Sequence, residues 1–321
     1  MDEPKHYSVA TNGITMQVTE RGEGPLVVLC HGWPESAFSW RHQIPALAAA
    51  GYRVVAPDMR GYGGTSAPQE VLAYTLFHLV GDIVGLVEAL GEREAVVVGH
   101  DWGANVAWGC ALLRPDMFRA VAALSVPHRP RGPAEPLAML RAAGLENFYW
   151  MHFQEPGVAE AEFERDVDAS MRKILFGLSS PVREGERRHP LDLPPGCGLL
   201  DVLTAPDGLP PWMSEDELCV FVAQFRRTGF RGGLNWYRNI DRNWELLAPW
   251  AGAIIAQPAL FIAGSRDPVI RGTLGERTLA AMDPAVPGLR RKLILDGAGH
   301  WIQQERPQEV TAELVGFLRG L

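Results

Sequence analysis

The amino-acid sequence predicts an α/β fold, a doubly wound and mostly parallel β-sheet with an inserted, mainly helical lid. Three observations lead to this prediction. Short apolar runs of strand length alternate along the chain with segments whose apolar residues have helical spacing. Several runs are apolar at every position, which is typical of parallel strands because helices cover both of their faces. The alternation stops in the middle of the chain and later resumes, which indicates an insertion.

The predicted sheet begins with a hairpin and continues with strands that are apolar throughout. Residues 7–9 and 14–20 flank Asn12-Gly13, a turn pair typical of hairpins, and we place this hairpin at an edge of the sheet. The strands predicted from apolar runs cover residues 26–30, 53–56, 95–98, 120–124, 259–262 and 292–295. The helices predicted from periodicity in the same part of the fold cover residues 40–50, 77–90 and 307–321.

The strand signal is missing between residues 127 and 258. Roughly half of the 25 prolines lie between residues 127 and 211, where helical pieces such as 158–176 alternate with irregular stretches. A structureless loop of this length would be implausible inside a compact domain. We therefore predict a core domain formed by residues 1–126 and 251–321, and a lid or cap domain formed by residues 127–250.

Composition and charge argue against several classes of function. The 321 residues carry a formal net charge of −8 and no basic cluster, so we do not expect nucleic-acid binding. No apolar run reaches the length of a membrane span, and the polar N-terminus lacks the order of a signal peptide. The four cysteines show no metal-ligand spacing, and we expect a cytoplasmic protein without a bound metal. The oligomeric state is open, and a homodimer is compatible with the sequence.

The strongest chemical signal is the stretch Gly-His-Asp-Trp-Gly between Gly99 and Gly103, which follows an apolar strand and precedes a helix. It matches the nucleophile elbow, with Asp101 where serine usually stands. The two glycines let strand and helix approach each other closely around a strained turn. An aspartate that merely caps the helix is the competing interpretation, and the motif alone leaves the two in close contest.

The residues that follow Asp101 support the catalytic interpretation. Enzymes with this elbow order their triad as nucleophile, acid and histidine, and the last two each follow a later strand. Asp267 follows the apolar run 259–262, and His300 follows the run 292–295. We therefore predict that Asp101, Asp267 and His300 form a catalytic triad.

Other acids and histidines near these strands have simpler interpretations. The run 120–124 is followed by Ser-Val-Pro and offers no carboxylate, so the acid is not expected there. We interpret Asp296 as a turn residue at the end of a strand. His100 precedes the nucleophile, and its side chain should point away from that of Asp101, so we interpret it as structural.

A second motif, His-Gly-Trp-Pro-Glu-Ser over residues 31–36, directly follows the first apolar strand. Elbow enzymes place one oxyanion-hole N–H at this position and take the other from the residue after the nucleophile. We assign these donors to the backbone N–H groups of Trp33 and Trp102. A loop that is merely rich in turn residues is the alternative, and the complete triad favours the functional interpretation.

An aspartate nucleophile restricts the chemistry. A carboxylate that attacks an ester or amide would form an anhydride, whereas its attack on a saturated carbon forms an ordinary ester. Water activated by His300, which Asp267 would orient, could then open that ester at the Asp101 carbonyl. The substrate should therefore carry a leaving group on saturated carbon, and an epoxide and an alkyl halide are the two obvious candidates.

The two candidates place different demands on the lid. The oxygen of an epoxide needs a proton donor such as a phenol, whereas a halide needs an apolar cradle with weak N–H donors such as indole. Two of the six tyrosines, Tyr149 and Tyr237, lie in the predicted lid. Their position alone favours a simpler interpretation, packed aromatic side chains with satisfied hydroxyls.

At this point the chain resembles the epoxide hydrolases of the α/β-hydrolase fold, close to the catalytic domain of the soluble enzymes. The matching stretches follow the family order through essentially the whole chain, at residues 31–36, 99–103, 153–157, 235–239 and 299–301. The resemblance implies that Tyr149 and Tyr237 activate the epoxide oxygen, and that the Trp33–Pro34 peptide is cis. It also implies epoxide hydrolysis without a metal or an organic cofactor. We expect neither a phosphatase-like N-terminal domain nor a membrane anchor.

The expected substrate is a fairly large, apolar epoxide. We predict that aromatic side chains contact it, namely Phe38, Trp150, Phe153, Trp236 and Trp301. A haloalkane or haloacid dehalogenase is the rival enzyme, because it shares the aspartate elbow and the His–Asp pair. A non-catalytic ligand-binding module is a third hypothesis, but such a module would not need the complete triad that this chain has.

Overall fold

In the computed structural model, which describes residues 3–179, 191–203 and 208–321, eight β-strands form one sheet. The strands are β1 (Lys5–Thr11), β2 (Ile14–Arg21), β3 (Leu26–Cys30), β4 (Arg53–Pro57), β5 (Ala95–His100), β6 (Phe118–Leu124), β7 (Ala259–Gly264) and β8 (Leu289–Leu295). They lie in the order β1-β2-β4-β3-β5-β6-β7-β8. The pairs β1–β2 and β2–β4 are antiparallel and the other pairs are parallel, which confirms a mostly parallel sheet with the hairpin at one edge.

Among the described residues, helices cover the sheet and make up much of the stretch between β6 and β7. The helices are α1 (Gln43–Ala49), α2 (Leu76–Ala89), α3 (Trp102–Leu113), α4 (Pro136–Ala142), α5 (Tyr149–His152), α6 (Val158–Glu164), α7 (Val167–Gly177), α8 (Leu199–Val202), α9 (Glu215–Thr228), α10 (Arg231–Arg238), α11 (Ile240–Leu246), α12 (Gly272–Ala285), α13 (Ile302–Glu305) and α14 (Pro307–Arg319). Short 3₁₀ segments lie at Ala37–Trp40, Val71–Tyr74 and Ala248–Trp250. In the described part of the chain, none of the helices has the length and apolar character needed to cross a bilayer.

Alternate residues of the central strands enter two separate hydrophobic cores. In β5, Val97 packs on the side of α2 and α3, whereas Val96 and Val98 pack on the side of α1 and α14. Because successive side chains of a strand point to opposite faces, a strand in the middle of this sheet must be apolar at every position. The last strand, β8, lies at the edge, and its Lys292 and Ile294 are exposed.

Two of the predicted helical segments are interrupted. In the segment predicted over residues 40–50, the helix α1 begins only at Gln43, after the 3₁₀ segment Ala37–Trp40 and a turn. The piece predicted over residues 158–176 is the two helices α6 and α7. The break before α7 has a local cause, because the side chain of Asp166 accepts a hydrogen bond from the N–H of Ala169, 3.1 Å away, and so begins a new helix.

The residues between β6 and β7 contribute helices but no strand to the sheet in their described part. The insertion does not interrupt the sheet, because β6 and β7 are neighbouring strands and Leu124 pairs directly with Ile262. Helices α4–α11 all belong to the insertion, and α10 packs against the loop that follows β4. The indole N–H of Trp236 donates to the carbonyl of Arg60 at 3.1 Å in that contact.

Candidate active site

Asp101 lies in the turn between β5 and α3, with the backbone angles φ +52° and ψ −120°. A positive φ is costly for a residue with a side chain and persists where the surroundings enforce it. The surroundings are tight, since a Cβ added at Gly99 would lie 2.0 Å from the carbonyl oxygen of Gly103. The side chain of Asp101 makes no capping hydrogen bond to the helix. Its carboxylate is therefore available for other contacts.

The two carboxylate oxygens of Asp101 face different partners. Oδ1 accepts a hydrogen bond from the backbone N–H of Trp33 at 2.8 Å, and Oδ2 lies 3.6 Å from Nε2 of His300. A Cβ added at Gly32 would lie 2.5 Å from Oδ1, so only glycine leaves room for this arrangement. Trp102 is the first residue of α3, and the N–H groups of a first helical turn have no partner within their helix. The predicted oxyanion donors thus lie in the loop and the helix end beside Asp101, and the Trp33–Pro34 peptide is cis, as the resemblance implied.

His300 and Asp267 form a buried pair next to Asp101. Nδ1 of His300 lies 3.0 Å from each carboxylate oxygen of Asp267, whose side chain has no solvent exposure. Burial alone would lower the pKa of His300, but the charges and hydrogen bonds of Asp267 and Asp101 outweigh it and raise that pKa well above its ordinary value. Asp296 instead accepts a hydrogen bond from the hydroxyl of Ser265, as a residue of a strand-end turn.

Glu35 is a buried acid behind this triad that the sequence interpretation did not single out. Its carboxylate accepts hydrogen bonds from the N–H of Gly32 at 2.9 Å, from Nδ1 of His100 at 2.6 Å, and from the amides of Gln303 and Gln304. Burial opposes its ionisation, but the charge and hydrogen bond of His100 lower the pKa of Glu35 to about 2. A signal was present, since this acid lies within the predicted oxyanion loop of residues 31–36.

His100 connects Glu35 to His300. Its Nε2 lies 2.8 Å from the carbonyl oxygen of His300, which also accepts a hydrogen bond from the hydroxyl of Ser125 at 2.7 Å. Both ring nitrogens of His100 therefore lie within hydrogen-bond distance of an oxygen atom. The prediction that the His100 side chain points away from that of Asp101 agrees with these contacts, which hold the backbone of His300 in place.

Tyr149 and Tyr237 approach each other from two different helices. Tyr149 begins α5 and Tyr237 lies near the end of α10, with their ring centroids 5.7 Å apart. The ring of Tyr237 also meets the rings of Trp33 and Trp102, at 5.8 and 5.1 Å. Burial raises the pKa of both phenols, and the carboxylate of Asp101 raises it further. Both hydroxyls are therefore protonated and able to donate at neutral pH.

The five aromatic residues predicted to contact a substrate fall into two groups. Phe38 and Trp150 are partly exposed. Phe153, Trp236 and Trp301 have no accessible surface, even towards a cavity. The indole N–H groups of the last two donate to backbone carbonyls, at 3.1 and 2.8 Å. Only the first group has accessible surface to offer to a ligand, whereas the second group is fully buried.

The described residues contain no group of three or more His, Cys, Asp or Glu side chains arranged to hold a metal ion. The four cysteines are free, and Cys30 and Cys110 are buried in the core. Asp101 accepts a hydrogen bond from the backbone N–H of Trp33 and lies next to the imidazole of His300, and its charge acts on the phenols of Tyr149 and Tyr237.

Comparison with known proteins agrees with this geometry. Residues 25–307 match the family described as alpha/beta hydrolase fold. The chain is 50% identical over 324 residues to epoxide hydrolase A of Mycobacterium tuberculosis, with 100% of this chain and 99% of the relative covered. It is 44% identical over 315 residues to an epoxide hydrolase of Caballeronia sordidicola, with 98% and 94% covered.

Solved structures give the same result. The crystal structure of epoxide hydrolase A from Mycobacterium thermoresistibile superposes with a TM-score of 0.94 at 51% identity, covering 99% of both chains. Potato (Solanum tuberosum) epoxide hydrolase I superposes with a TM-score of 0.91 at 39% identity, covering 99% of this chain and 100% of the other. The nucleophile elbow, the strand order and these relatives lead to one conclusion: the chain belongs to the epoxide hydrolases of the α/β-hydrolase fold.

Proposed function

We propose that this enzyme converts epoxides to vicinal diols through a covalent ester on Asp101. The observation that carries the proposal is the environment of one carboxylate. One oxygen of Asp101 is held by the N–H of Trp33 at 2.8 Å, the other lies 3.6 Å from the imidazole of His300, and two protonated phenols approach from the insertion. The activity named for the relatives supports the same substrate class.

In the first step, Asp101 opens the ring. A lone pair of its carboxylate attacks a ring carbon, the C–O bond to that carbon breaks, and its electrons go to the ring oxygen. Tyr149 and Tyr237 donate hydrogen bonds to that oxygen, which takes up a proton. The new ester no longer carries the negative charge of Asp101, so the pKa of His300 falls and this residue can release a proton. One of the two phenols gives its proton to the substrate oxygen and is reprotonated, through solvent, by the proton that His300 releases, which balances the step.

In the second step, water opens the ester. Neutral His300 takes a proton from water, and the hydroxide formed attacks the carbonyl carbon of Asp101. The N–H groups of Trp33 and Trp102 stabilise the resulting oxyanion, and Asp267 stabilises the imidazolium. Collapse of the intermediate breaks the bond to the substrate oxygen, which takes the proton from His300. The diol leaves, the remaining proton on Asp101 passes to His300, and one water oxygen stays in the carboxylate.

The proposal is tested by a single turnover in oxygen-18 water, with enzyme in excess over the epoxide. The label should appear first in the peptide that contains Asp101 and not in the diol. A His300→Gln variant should form the ester but hydrolyse it far more slowly, so its intact mass should rise by the mass of one substrate. Oxygen-18 in the diol after the first turnover, with none in Asp101, would contradict the covalent mechanism.

An aspartate nucleophile taken by itself would also allow a dehalogenase, and the epoxide hydrolase relatives argue against it. The buried indole N–H of Trp33 has no hydrogen-bond partner among the described residues, and a donor of this kind suits a halide. The two phenols instead favour an epoxide, because its oxygen stays attached to the product and needs a proton. Replacing Tyr149 and Tyr237 together by phenylalanine should abolish diol formation. Chloride or bromide release from haloalkanes, with no diol from any epoxide, would favour the dehalogenase.

Three further expectations belong to this proposal. We infer that residues 127–250 act as a lid on the core of residues 1–126 and 251–321, which the helical content of the insertion and its contacts with the loop after β4 support. A reduced, cytoplasmic setting is supported by the four free cysteines. Light scattering on the purified enzyme would decide between a monomer and the homodimer that the sequence allows.

A further inference from the structure

We propose that Gln154, Arg238 and Glu160 form a clamp that sets the spacing of the two phenols, which makes Gln154 a positioning residue for ring opening. The inference rests on the proposed function, because it assumes that both phenols act on one substrate oxygen. Gln154 and Arg238 lie in the stretches 153–157 and 235–239, close to Tyr149 and next to Tyr237, and Glu160 lies in α6. The proposed mechanism gives these three residues no role of their own.

The amide of Gln154 bridges the two tyrosine-bearing helices. Its Nε2 donates to the carbonyl of Trp150 in α5 at 2.8 Å and to the carbonyl of Tyr237 in α10 at 3.2 Å. One bond thus ends next to Tyr149 in the sequence, and the other ends on Tyr237 itself. Both partners are carbonyl oxygens, so the position requires a group with two N–H donors.

Arg238 makes the reciprocal connection from α10. Its guanidinium donates to the carbonyls of Phe153 at 3.1 Å and Glu155 at 3.4 Å, in the segment that follows α5. The same group forms two hydrogen bonds to the carboxylate of Glu160, at 2.8 and 2.9 Å. The two side chains are 3% and 10% exposed, so this is a buried, two-pronged ion pair with strong and directional bonds.

The two phenols differ in how they are attached to the core. Tyr237 lies on α10, whose Gly232 meets the backbone of Gly61 so closely that an added Cβ would lie 2.4 Å from a carbonyl oxygen. Tyr149 lies on α5, a four-residue helix, and one turn of helix has little stability by itself. The clamp therefore ties the phenol on the short helix α5 to the phenol on α10, the helix that meets the core directly.

The spacing matters in only one of the two chemical steps. Ring opening needs both hydroxyls within hydrogen-bond distance of a single oxygen, and a misplacement of about 1 Å can slow a reaction by about 100-fold. Hydrolysis of the ester uses His300 and the N–H groups of Trp33 and Trp102, which the clamp does not touch. Loss of the clamp should therefore slow formation of the ester and leave its hydrolysis unchanged.

The test is the variant Gln154→Glu, which keeps the shape of the side chain but turns acceptor oxygens towards two carbonyls. Gln308→Glu is the matched control, because Gln308 is exposed at the start of α14. Single turnovers of an epoxide, quenched and followed by intact mass, give the rate of ester formation and the rate of ester decay. In Gln154→Glu, formation should slow by about tenfold or more while decay stays at the wild-type rate. The control should match the wild type in both steps.

The unchanged decay rate also shows that the variant is folded. If Gln154→Glu does not fold, Gln154→Met removes the donors without adding a charge and takes its place. An equal loss in formation and decay, or no loss in either, would overturn the clamp. In a Tyr149→Phe background the effect of Gln154→Glu on formation should shrink, because both changes act on the same hydrogen bonds. Fully additive effects would also overturn it.

The experiment separates the clamp from the function on which it rests. If Tyr149→Phe slows ester formation and Gln154→Glu does not, the clamp is wrong and the proposed function stands. If Tyr149→Phe and Tyr237→Phe both leave ester formation unchanged, the phenols do not activate the epoxide. The proposed role of the tyrosines then fails together with the clamp.

Discussion

Two carboxylates share one imidazole at the centre of this site. Asp267 lies on the Nδ1 side of His300 and Asp101 on the Nε2 side, and together they raise the pKa of that histidine well above its ordinary value against the effect of burial. An ester on Asp101 would carry no charge. During the reaction, Asp267 would then be the one carboxylate of this pair that still acts on His300. The protonation of His300 is therefore coupled to the state of Asp101.

This coupling predicts a difference between two pH titrations. In the free enzyme, His300 should remain protonated to a pH above the ordinary pKa of histidine, which is about 6.5. In the ester form its pKa should be lower, so the decay of the ester should reach full rate at a lower pH. NMR titration of His300 in the resting enzyme and the pH profile of ester decay in single turnovers measure the two values. Coinciding midpoints would contradict the coupling.

At the scale of the secondary-structure elements, β3, β5 and α3 pack so closely at the elbow that no side chain fits at Gly99 or Gly103. A Cβ added at Gly103 in α3 would lie 2.1 Å from the carbonyl oxygen of Cys30, at the end of β3. The atom that it would meet is backbone, which cannot move aside as a flexible side chain can. The contact keeps the start of α3, and with it Asp101, against the loop that contains Trp33.

Gly103→Ala should therefore be severely destabilising. We expect the free energy of unfolding in urea to fall by more than about 4 kcal/mol, or the protein to be insoluble, because the backbone of β3 or α3 must shift. Gly316→Ala is the control, since Gly316 is exposed within α14 and has no atom within 4 Å of an added Cβ. That change should stabilise the protein by up to about 1 kcal/mol through helix propensity. Similar stabilities of the two variants would show that the elbow has room to relax.

At the scale of the whole molecule, the insertion is tied to the core near the loop that contains Trp33. Glu217 of α9 accepts a hydrogen bond from Nε of Arg41 at 2.6 Å, and Nη1 of Arg41 donates to Gln304 at 2.6 Å. The amide of Gln304 in turn donates to Glu35 at 3.1 Å. A chain of polar contacts therefore runs from the insertion to the buried acid behind the predicted oxyanion loop.

Breaking the first link should loosen α9 without unfolding the core. Glu217→Gln should speed hydrogen exchange in α9 and leave exchange in β5 unchanged, since β5 lies in the middle of the sheet. The loss of overall stability should be at most about 1 kcal/mol, because Glu217 is partly exposed to solvent. Glu245→Gln is the control, as its pair with Arg242 lies on the surface of a single helix. Unchanged exchange in α9 would show that this link does not hold the insertion.

Much of this architecture could be predicted because it depends on local patterns. Continuous apolar runs identify central strands since each side chain of such a strand is buried on one face or the other, as in β5. The edge strand β8 fits that pattern poorly, because half of it faces solvent. The order of Asp101, Asp267 and His300 could be predicted because each follows a strand, and the ends of parallel strands meet at one edge of a sheet.

The sequence by itself determined the class of fold, the insertion between β6 and β7, and the residue types available for the chemistry. Only the tertiary structure decided that one oxygen of Asp101 meets the N–H of Trp33, 68 positions earlier in the chain. It likewise revealed the buried contacts of Glu35 and the bridge from Gln154 to the backbone of Tyr237. The reason is physical: patterns along a chain report which face of an element is buried, whereas these contacts join distant segments whose side chains meet only after the elements pack.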